Sequence, residues 1–416
     1  MTTTAISTGP TLPDFWLDRE ERRAWLIADA RQQFAFFRKS LDPRGGFFNL
    51  DSQGNPLQDR TQELHSTTRM VHSFALGRHI GTPGADVMIE QGMRHLLNVH
   101  RDRDHGGYVY ATRGREVTDG RKLAYGHVFV LLAAASALTC GHPDAKYLLE
   151  DVTDVLDRYF WEEEPGLFAD EWNRDWTPFS TYRGMNANMH AIEAMLTAFE
   201  ATGQTSYLRK AGRILDFFIE RIAPREGWRL PEHYTADWQI DRFYEGNPIF
   251  RPAGSTPGHS FELSRLLLQY WDLSGRPDDG SPAKARRLME QALKDAWDTE
   301  RGGFIYTLAH DGTVARADRY WWPVTEAIGA VAAFIKLERR NEDEEWYRRL
   351  WKFAADRLID HQNGGWFPEL DPDNRPTDKQ FRGKPDLYHS IQAVLYPLTP
   401  GIAHPARGLA ALGGEL

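Results

Sequence analysis

The segment Glu326-Ala-Ile-Gly-Ala-Val-Ala-Ala-Phe-Ile335 is apolar almost all the way around, as a helix buried on every side requires. The next segment, Glu342 to Asp360, places Trp346, Leu350 and Phe353 on one face and charged residues opposite, which predicts an amphipathic helix. A glycine–aromatic turn, Gly364-Gly365-Trp366, follows at once. An apolar helix, an amphipathic helix and such a turn therefore form one structural unit.

This unit recurs along the chain, because the glycine–aromatic or glycine–apolar turn occurs six times. Counted on the last glycine of each turn, the steps are 61, 59, 61, 76 and 62 residues. A second glycine series has steps of 60, 62 and 72 residues, and a proline follows three of its members, as expected where one helix ends and another begins. The turns are Gly45-Gly46-Phe47, Gly106-Gly107-Tyr108, Gly166-Leu167-Phe168, Gly227-Trp228, Gly302-Gly303-Phe304 and Gly364-Gly365-Trp366, and the second series is Gly81, Gly141, Gly203 and Gly275.

Six units could stack as an open solenoid or close into a ring. All six apolar helices look fully buried, which favours closure. The predicted fold is an all-α (α/α)6 barrel of six helical hairpins with short β-hairpins at one rim, one of them around His310-Asp311-Gly312. We expect a single domain over 1–416, with a flexible N-terminal segment 1–12 and a C-terminal tail 401–416. Inner helices are predicted to begin near 64, 124, 186, 257, 322 and 386, and outer helices near 18, 84, 143, 204, 281 and 342.

Composition excludes several classes of function. The net charge of −9 argues against nucleic acid or an anionic membrane surface as the main partner. No signal peptide is recognisable at the N-terminus, and the longest apolar run, Val128 to Cys140, is too short to span a bilayer. The single cysteine, Cys140, excludes an internal disulfide. These features predict a cytoplasmic protein, and none of them predicts its oligomeric state.

Every predicted inner helix carries polar or ionisable residues in its first two turns and is apolar after them. Buried polar groups cost free energy unless they are paired, so a purely structural core would not need them. If the inner helices run parallel around a barrel, these side chains converge on one cavity. They are His65, Arg69 and His72; Tyr125 and His127; Asn186 and His190; His259 and Glu262; Trp322 and Glu326; and Asp386, Tyr388 and His389.

Histidines beside glutamates and an arginine suit proton abstraction next to a carbonyl group. Histidine takes and returns a proton near neutral pH, and an arginine such as Arg69 stabilises a developing oxyanion. Glycoside hydrolysis needs two opposed carboxylates, and Glu262 with Glu326 is the one pair on offer. The set holds too few carboxylates for a metal-dependent isomerase, so neither a metal nor another cofactor is expected.

At these residues the chain resembles the N-acylglucosamine 2-epimerase superfamily of (α/α)6 barrels, and in particular its aldose–ketose isomerase branch of mannose and sulfoquinovose isomerases. The similarity covers nearly the whole chain, with its motifs in order. The matching stretches are Leu64-His-Ser-Thr-Thr-Arg-Met70, Tyr182-Arg-Gly-Met-Asn-Ala-Asn-Met-His190, Thr256-Pro-Gly-His259 with Glu262, Trp322-Pro-Val-Thr-Glu326 and Asp386-Leu-Tyr-His389.

The resemblance implies that His389 is the base acting on the substrate. It implies that His259 helps to open the sugar ring in an isomerase and is the second base in a 2-epimerase. Arg69 is expected to steady the oxyanion as the third catalytic residue. The expected substrate-binding residues are Asn186, His190, Glu262, Glu326, Trp322, Arg251, Tyr125 and Asp386.

The expected reaction is interconversion of D-mannose and D-fructose, with D-lyxose and D-xylulose as a second pair, through a cis-enediol(ate). Pro385 stands where the sulfoquinovose branch has a glutamine that helps to hold its substrate, and proline has no donor to offer. This favours a neutral sugar. Sugar 2-epimerisation (mannose/glucose or cellobiose type) and sulfoquinovose isomerisation are the nearest alternatives. A sugar-binding protein without turnover and a glycoside hydrolase are alternatives from other classes.

Overall fold

A computed structural model describes residues 14–244, 246–247 and 251–413; the predicted flexible segment 1–12 lies outside these ranges. Helices dominate the described chain, and the strands are short. Helices with even numbers up to α12 are the predicted inner helices, and those with odd numbers up to α11 are the outer ones. The helices are α1 Glu20–Phe37, α2 Leu64–His79, α3 Ala85–His95, α4 Ala124–Thr139, α5 Ala145–Val155, α6 Met185–Thr202, α7 Thr205–Leu215, α8 Pro257–Leu273, α9 Ser281–Ala296, α10 Trp321–Glu338, α11 Asn341–Phe353, α12 Tyr388–Leu398 and α13 Pro405–Leu412.

The inner helices form a closed ring. Each contacts the next in the order α2, α4, α6, α8, α10 and α12, and α12 packs back against α2. Each outer helix lies against an inner one, and α1 packs on α12, so the first and last parts of the chain meet. The prediction of an (α/α)6 barrel is confirmed, and the open solenoid is ruled out by the contact between α12 and α2.

Small residues allow the inner helices to approach closely. In α4, the run Ala133 to Ala135 is completely buried. A Cβ atom on Gly126 of the same helix would lie 2.8 Å from the Leu64 side chain of α2, so only glycine fits there without a shift. The buried apolar texture seen in the sequence therefore reflects close contact on all sides of each inner helix.

Short strands line one rim. The predicted hairpin around His310-Asp311-Gly312 is present, as β10 pairs with β11. The sequence did not predict that strands also pair between successive units, as β1 does with β2, β4 with β7, β8 with β9 and β12 with β13. The strands are β1 Thr61–Glu63, β2 Ala111–Arg113, β3 Glu116–Asp119, β4 Lys122–Leu123, β5 Trp161–Glu162, β6 Leu167–Phe168, β7 Glu171–Trp172, β8 Arg183–Gly184, β9 His233–Tyr234, β10 Thr307–Leu308, β11 Val314–Arg316, β12 Arg319–Tyr320 and β13 Glu369–Leu370.

Two isolated bridges complete this circle of strand pairs. Ser255 pairs with Leu308, which joins the fourth unit to the fifth, and Leu50 pairs with Lys384, which joins the first to the sixth. The rim is therefore closed as the helix ring is. Because the inner helices begin immediately after these strands, the rim fixes where their first turns lie.

Buried cations strengthen the same rim. Lys384 is 1% exposed, and its Nζ lies 2.8 Å from an Asp360 carboxylate oxygen and donates to the Gly364 carbonyl. In the second unit, Lys122 makes the equivalent bonds to Asp102 and Gly106, both of 2.8 Å. In each case a buried charge is paired and hydrogen-bonded, as burial requires.

The C-terminal tail after Pro400 contains a helix. Helix α13 packs against α2 and α12, and Leu409 within it is fully buried. Among the described residues no helix is long and apolar enough to cross a membrane.

Candidate active site

The polar first turns of the inner helices converge on one cavity of about 230 Å³ at the strand-lined rim. Each of the predicted site residues lines this cavity except Glu326, which lies directly behind it. The convergence inferred from helix spacing is therefore what the structure shows. The predicted residues on the cavity wall are His389, His259, Arg69, Asn186, His190, Glu262, Trp322, Arg251, Tyr125 and Asp386.

His389 is oriented by a carboxylate. Its Nδ1 lies 2.8 Å from one oxygen of Glu326, and the other oxygen of Glu326 accepts a hydrogen bond of 3.1 Å from Arg265. Burial would raise the pKa of Glu326, but the Arg265 guanidinium and His389 outweigh it and hold the pKa below its usual value. Glu326 is therefore an anion that keeps the hydrogen of His389 on Nδ1 and leaves Nε2 as a base.

His259 has the same arrangement with a different partner. Its Nδ1 lies 2.9 and 3.0 Å from the two oxygens of Glu232, which also accepts a hydrogen bond from the backbone of Thr256. Burial lowers the pKa of His259, but the charge and hydrogen bond of Glu232, together with the charges of Glu262 and Glu326, outweigh it, so the net pKa is raised. The sequence reasoning missed Glu232, because this residue precedes α8 outside any helical spacing.

Trp322 lies between the two histidines. Its ring centroid is 4.9 Å from that of His259 and 5.9 Å from that of His389, with tilted planes in both pairs. Asn186 faces the same cavity from α6, and its side-chain oxygen is buried without a hydrogen-bond partner among the described residues. An apolar wall flanked by polar groups is the usual make-up of a small-molecule site.

Arg69 is buried and is held by neighbours on α4, on α12 and in the segment just before α12. It donates hydrogen bonds of 3.3 Å to Asp386 and 2.8 Å to the Tyr125 hydroxyl, and its guanidinium carbon lies 4.7 Å from the ring centroids of Phe129 and Tyr388. Its Nε has no hydrogen-bond partner among the described residues. A fixed cation with an unused donor can stabilise an oxyanion in the cavity.

Glu262 and His190 lie side by side in the interior of the barrel. The nearest atoms are 3.3 Å apart, and neither oxygen of Glu262 has a hydrogen-bond partner among the described residues. Burial, followed by the neighbouring carboxylates Glu326 and Glu193, raises the pKa of Glu262. Burial, followed by Arg69, lowers the pKa of His190 well below its usual value. Both side chains therefore favour their neutral forms.

Arg251 closes one side of the cavity. It forms an ion pair of 2.9 Å with Glu171 and stacks at 3.9 Å on the ring of Tyr182. Asp170 also lines the wall there, and burial raises its pKa to about 7. The sequence analysis did not predict Asp170 and Tyr182 as site residues. Asp170 follows Gly166 by four positions, and acidic residues also follow other repeat glycines by four or five positions, so this spacing could have indicated Asp170.

Two histidines expected at the site do not line the cavity. His72 lies deeper in the barrel, where its nitrogens approach Ser136 at 2.7 Å and Gln392 at 3.3 Å. His127 accepts a hydrogen bond of 3.0 Å from the backbone of Tyr108 and serves the packing of the wall. For these two the expectation was wrong, because the side chain of each leaves its helix in another direction.

Glu193 is a further buried acid that the sequence did not single out. It lies with His190 and Glu262 in a group whose ligand atoms are within 4.8 Å of one another. Its two oxygens accept hydrogen bonds from Tyr388 and, at 3.1 Å, from Gln392. These bonds tie α6 to α12 directly beneath the cavity and hold the helix that carries His389.

Comparison with known protein families gives a match over most of the chain. The family model for N-acylglucosamine 2-epimerase (GlcNAc 2-epimerase) matches residues 45–393, which include every predicted site residue. The chain belongs to the N-acylglucosamine 2-epimerase family.

Relatives within the family are similar over their full length. A D-mannose isomerase from Thermobifida fusca is 40% identical over 404 residues, which cover 96% of this chain and 99% of that protein. A D-mannose isomerase from Pseudomonas cannabina pv. alisalensis is 35% identical over 406 residues, covering 95% and 97%. A crystal structure of D-mannose isomerase superposes with a TM-score of 0.87 at 34% identity, covering 93% of this chain and 99% of that one. A cellobiose 2-epimerase from Spirochaeta thermophila, at 22% identity and a TM-score of 0.81, shares the fold.

Proposed function

We propose that this protein is an aldose–ketose isomerase that interconverts D-mannose and D-fructose. The observation that carries the proposal is the His389–Glu326 pair, a histidine base fixed by a buried anion at the wall of a cavity of about 230 Å³. A volume below the range of about 300–1,000 Å³ usual for drug-sized ligands suits a single sugar ring. The full-length similarity to D-mannose isomerases supports the same substrate.

The mechanism begins with ring opening. His259 takes the proton of the anomeric hydroxyl through Nε2, the bond from C1 to the ring oxygen breaks, and that oxygen takes up a proton. The net positive shift in the pKa of His259 keeps the proton available for the ring oxygen. The product is the open aldehyde, whose carbonyl makes the C2 hydrogen acidic.

Proton transfer between carbons follows. His389 removes the C2 proton through Nε2, the electron pair forms a C1–C2 double bond, and negative charge moves to O1, where Arg69 stabilises it. A proton passes from the O2 hydroxyl to O1, and the protonated His389 delivers its proton to C1. The C2 carbonyl of fructose forms in the same step, and the histidine is again neutral.

One specific observation supports 2-epimerisation as the second candidate. His259 and His389 each have a carboxylate at Nδ1, so each can act as a base at the cavity. Two bases on opposite faces of C2 would invert that carbon and convert mannose to glucose. Glycoside hydrolysis has less support, because Glu326 lies behind His389 and does not line the cavity with Glu262.

Turnover of D-mannose in D2O tests the proposal. Where the proton on His389 exchanges with solvent before it is delivered, isomerisation places deuterium at C1 of fructose, whereas epimerisation gives glucose labelled at C2. The variant His389→Gln is expected to lose about 10²–10⁴-fold in kcat, the usual range for loss of a general base. The exposed His361 provides the matched control, since His361→Gln leaves catalysis unchanged. Near-normal turnover by His389→Gln would sink the assignment of the base.

A substrate panel tests the choice of sugar. Pro385 lines the cavity and offers no donor to a sulfonate, so sulfoquinovose is expected to react poorly. D-Lyxose keeps the C2 configuration of mannose, so it is expected to yield D-xylulose. Sulfoquinovose turnover above that of D-mannose would contradict the proposed substrate while leaving the isomerase chemistry intact.

A further inference from the structure

A second cavity, of about 500 Å³, shares no lining residue with the catalytic cavity. Its wall is formed by the turn before the first repeat glycines, by the end of α3 and by the strands β1 and β2 with the turn that follows. Five arginines line it, in a chain whose net charge is −9. They are Arg44, Arg60, Arg94, Arg113 and Arg115.

These positive charges are only partly balanced. Asp42 is the single acidic residue among the described residues that line the cavity, and its carboxylate lies 3.0 Å from Arg44 and 3.6 Å from Arg60. Arg94 pairs with Glu90 on the exposed face of α3, and Arg113 lies 4.0 Å from Asp59. The cavity therefore keeps an excess of positive charge, which attracts anions.

His95 adds a buried ring nitrogen to the same wall, which is a donor when the neutral imidazole carries its hydrogen there. The residue is 5% exposed and lines the cavity, and its Nε2 has no hydrogen-bond partner among the described residues. Burial lowers the pKa of His95 to about 4, so the imidazole is neutral at pH 7. A buried polar nitrogen without a partner costs free energy, which a ligand that accepts its hydrogen would recover.

We propose that this cavity binds a small phosphate-bearing metabolite, held by the arginines and by the Nε2 of His95. Guanidinium groups match the oxygen geometry of phosphate in a bidentate manner, and several of them suit a dianion. A recessed volume of about 500 Å³ lies within the range of small-molecule sites. The negative charge of the whole chain opposes long polyanions and anionic surfaces as occupants.

Isothermal titration calorimetry with inorganic phosphate, and separately with glycerol 3-phosphate, tests the site at low ionic strength. The expected result is saturable binding of one anion per chain. The variants Arg94→Glu and His95→Phe are expected to weaken it at least about tenfold, since charge-assisted hydrogen bonds are lost. Arg94 is exposed on an outer helix, so its variant is expected to remain folded.

Lys352→Glu is the matched control for Arg94→Glu. Lys352 is also an exposed cation on an outer helix with a carboxylate partner four residues away, Asp356, and lines neither cavity. Its variant is expected to bind phosphate as the wild type does. Absence of saturable binding, or equal affinity in Arg94→Glu and the wild type, would overturn the proposal.

Sedimentation with vesicles that contain phosphatidic acid distinguishes a free metabolite from a lipid headgroup. The recessed cavity predicts that the protein stays in solution while it binds glycerol 3-phosphate. If the wild-type protein sediments with the vesicles and the Arg94→Glu variant does not, the phosphate belongs to a lipid. That result would overturn the assignment to a soluble metabolite.

Discussion

Glu326 and Glu232 each accept a hydrogen bond from Nδ1 of one cavity histidine, at 2.8 and 2.9 Å. A carboxylate can only accept such a bond, so it fixes the imidazole hydrogen on Nδ1 and leaves Nε2 free to take a proton. The two pairs lie on different elements, α10 with α12 and a rim segment with α8, and share no residue. Changing one carboxylate at a time therefore separates the two chemical roles.

The variant Glu326→Gln is expected to lower kcat by roughly 10²–10⁴-fold with little change in KM. Its amide can donate to Nδ1 of His389, which places the hydrogen on Nε2 and removes the base; a similar tautomer effect is known for the serine-protease triad. The substitution also removes the negative charge that is paired with the buried Arg265, so the variant is less stable. Steady-state kinetics at a temperature where circular dichroism shows a folded protein provide the measurement.

The companion variant Glu232→Gln acts on His259. Without the carboxylate that offsets burial, the pKa of His259 falls, and the limb of the kcat/KM profile that reports this histidine moves to lower pH. The exposed Glu164 provides the control, as Glu164→Gln leaves the profile in place. A profile for Glu232→Gln that superposes on the wild-type profile would contradict the pairing.

Residues of the site were predictable where helical spacing placed them. Arg69, His259 and His389 lie in the first turns of apolar helices, where a polar residue stands out against its neighbours. Glu232 and Asp170 lie in rim segments without regular spacing, so their position depends on pairing between units that are distant in sequence. His72 was wrongly placed because a helical pattern gives the turn but not the neighbour that each side chain meets.

At the scale of elements, helix starts were predicted to within two residues for all six inner helices, because glycine and proline mark the helix ends locally. Pairing between successive units, such as β4 with β7, was not predicted, since two-residue strands carry almost no pattern of their own. The sequence predicted a C-terminal tail over 401–416, but not that helix α13 lies within it. Its place depends on contacts with α2 that no local signal shows.

The junction of α6 with the segment before α13 has a testable pH dependence. Glu200 of α6 accepts a hydrogen bond of 2.9 Å from the backbone of His404, and burial raises the pKa of Glu200 to about 7. The folded state therefore holds this proton more tightly than the unfolded state does. The stability that this bound proton contributes is fully present below pH 4.5, the pKa of Glu200 in the unfolded chain. It is lost as the pH rises through about 7, the pKa of Glu200 in the folded protein.

The variant Glu200→Gln cannot lose a proton, so its stability is expected to stay level over that pH range where the wild type declines. The difference in the free energy of unfolding between the variant and the wild type should grow by about 1–3 kcal/mol between pH 4.5 and pH 8, because one pKa unit corresponds to about 1.4 kcal/mol. Urea unfolding at several pH values measures it. Parallel stability curves for the two proteins would show that Glu200 titrates normally in the folded state.

At the scale of the whole molecule, the ring of inner helices has no terminal member. Each inner helix contacts two neighbours, and the contact of α12 with α2 makes the first and last units neighbours as well. A solenoid could lose terminal units one by one, whereas a closed ring must break two interfaces to release any unit. We therefore expect residues 1–416 to behave as one domain, as the sequence predicted.

The seam between the first and last units is where this expectation is tested most directly. Lys384 is paired there with Asp360 and also donates a hydrogen bond of 3.0 Å to the backbone of Ser52 in the first unit. Lys384→Met leaves a buried carboxylate unpaired and should cost about 3–5 kcal/mol, whereas Lys352→Met at an exposed site should change stability by less than about 0.5 kcal/mol.

In a closed ring the loss at the seam lowers the unfolding midpoint of the entire protein, because no unit stays folded without its neighbours. Tryptophan fluorescence and far-ultraviolet circular dichroism should therefore shift together in denaturant. Two separate transitions in Lys384→Met would mean that the seam can open alone and that the chain is not one cooperative domain.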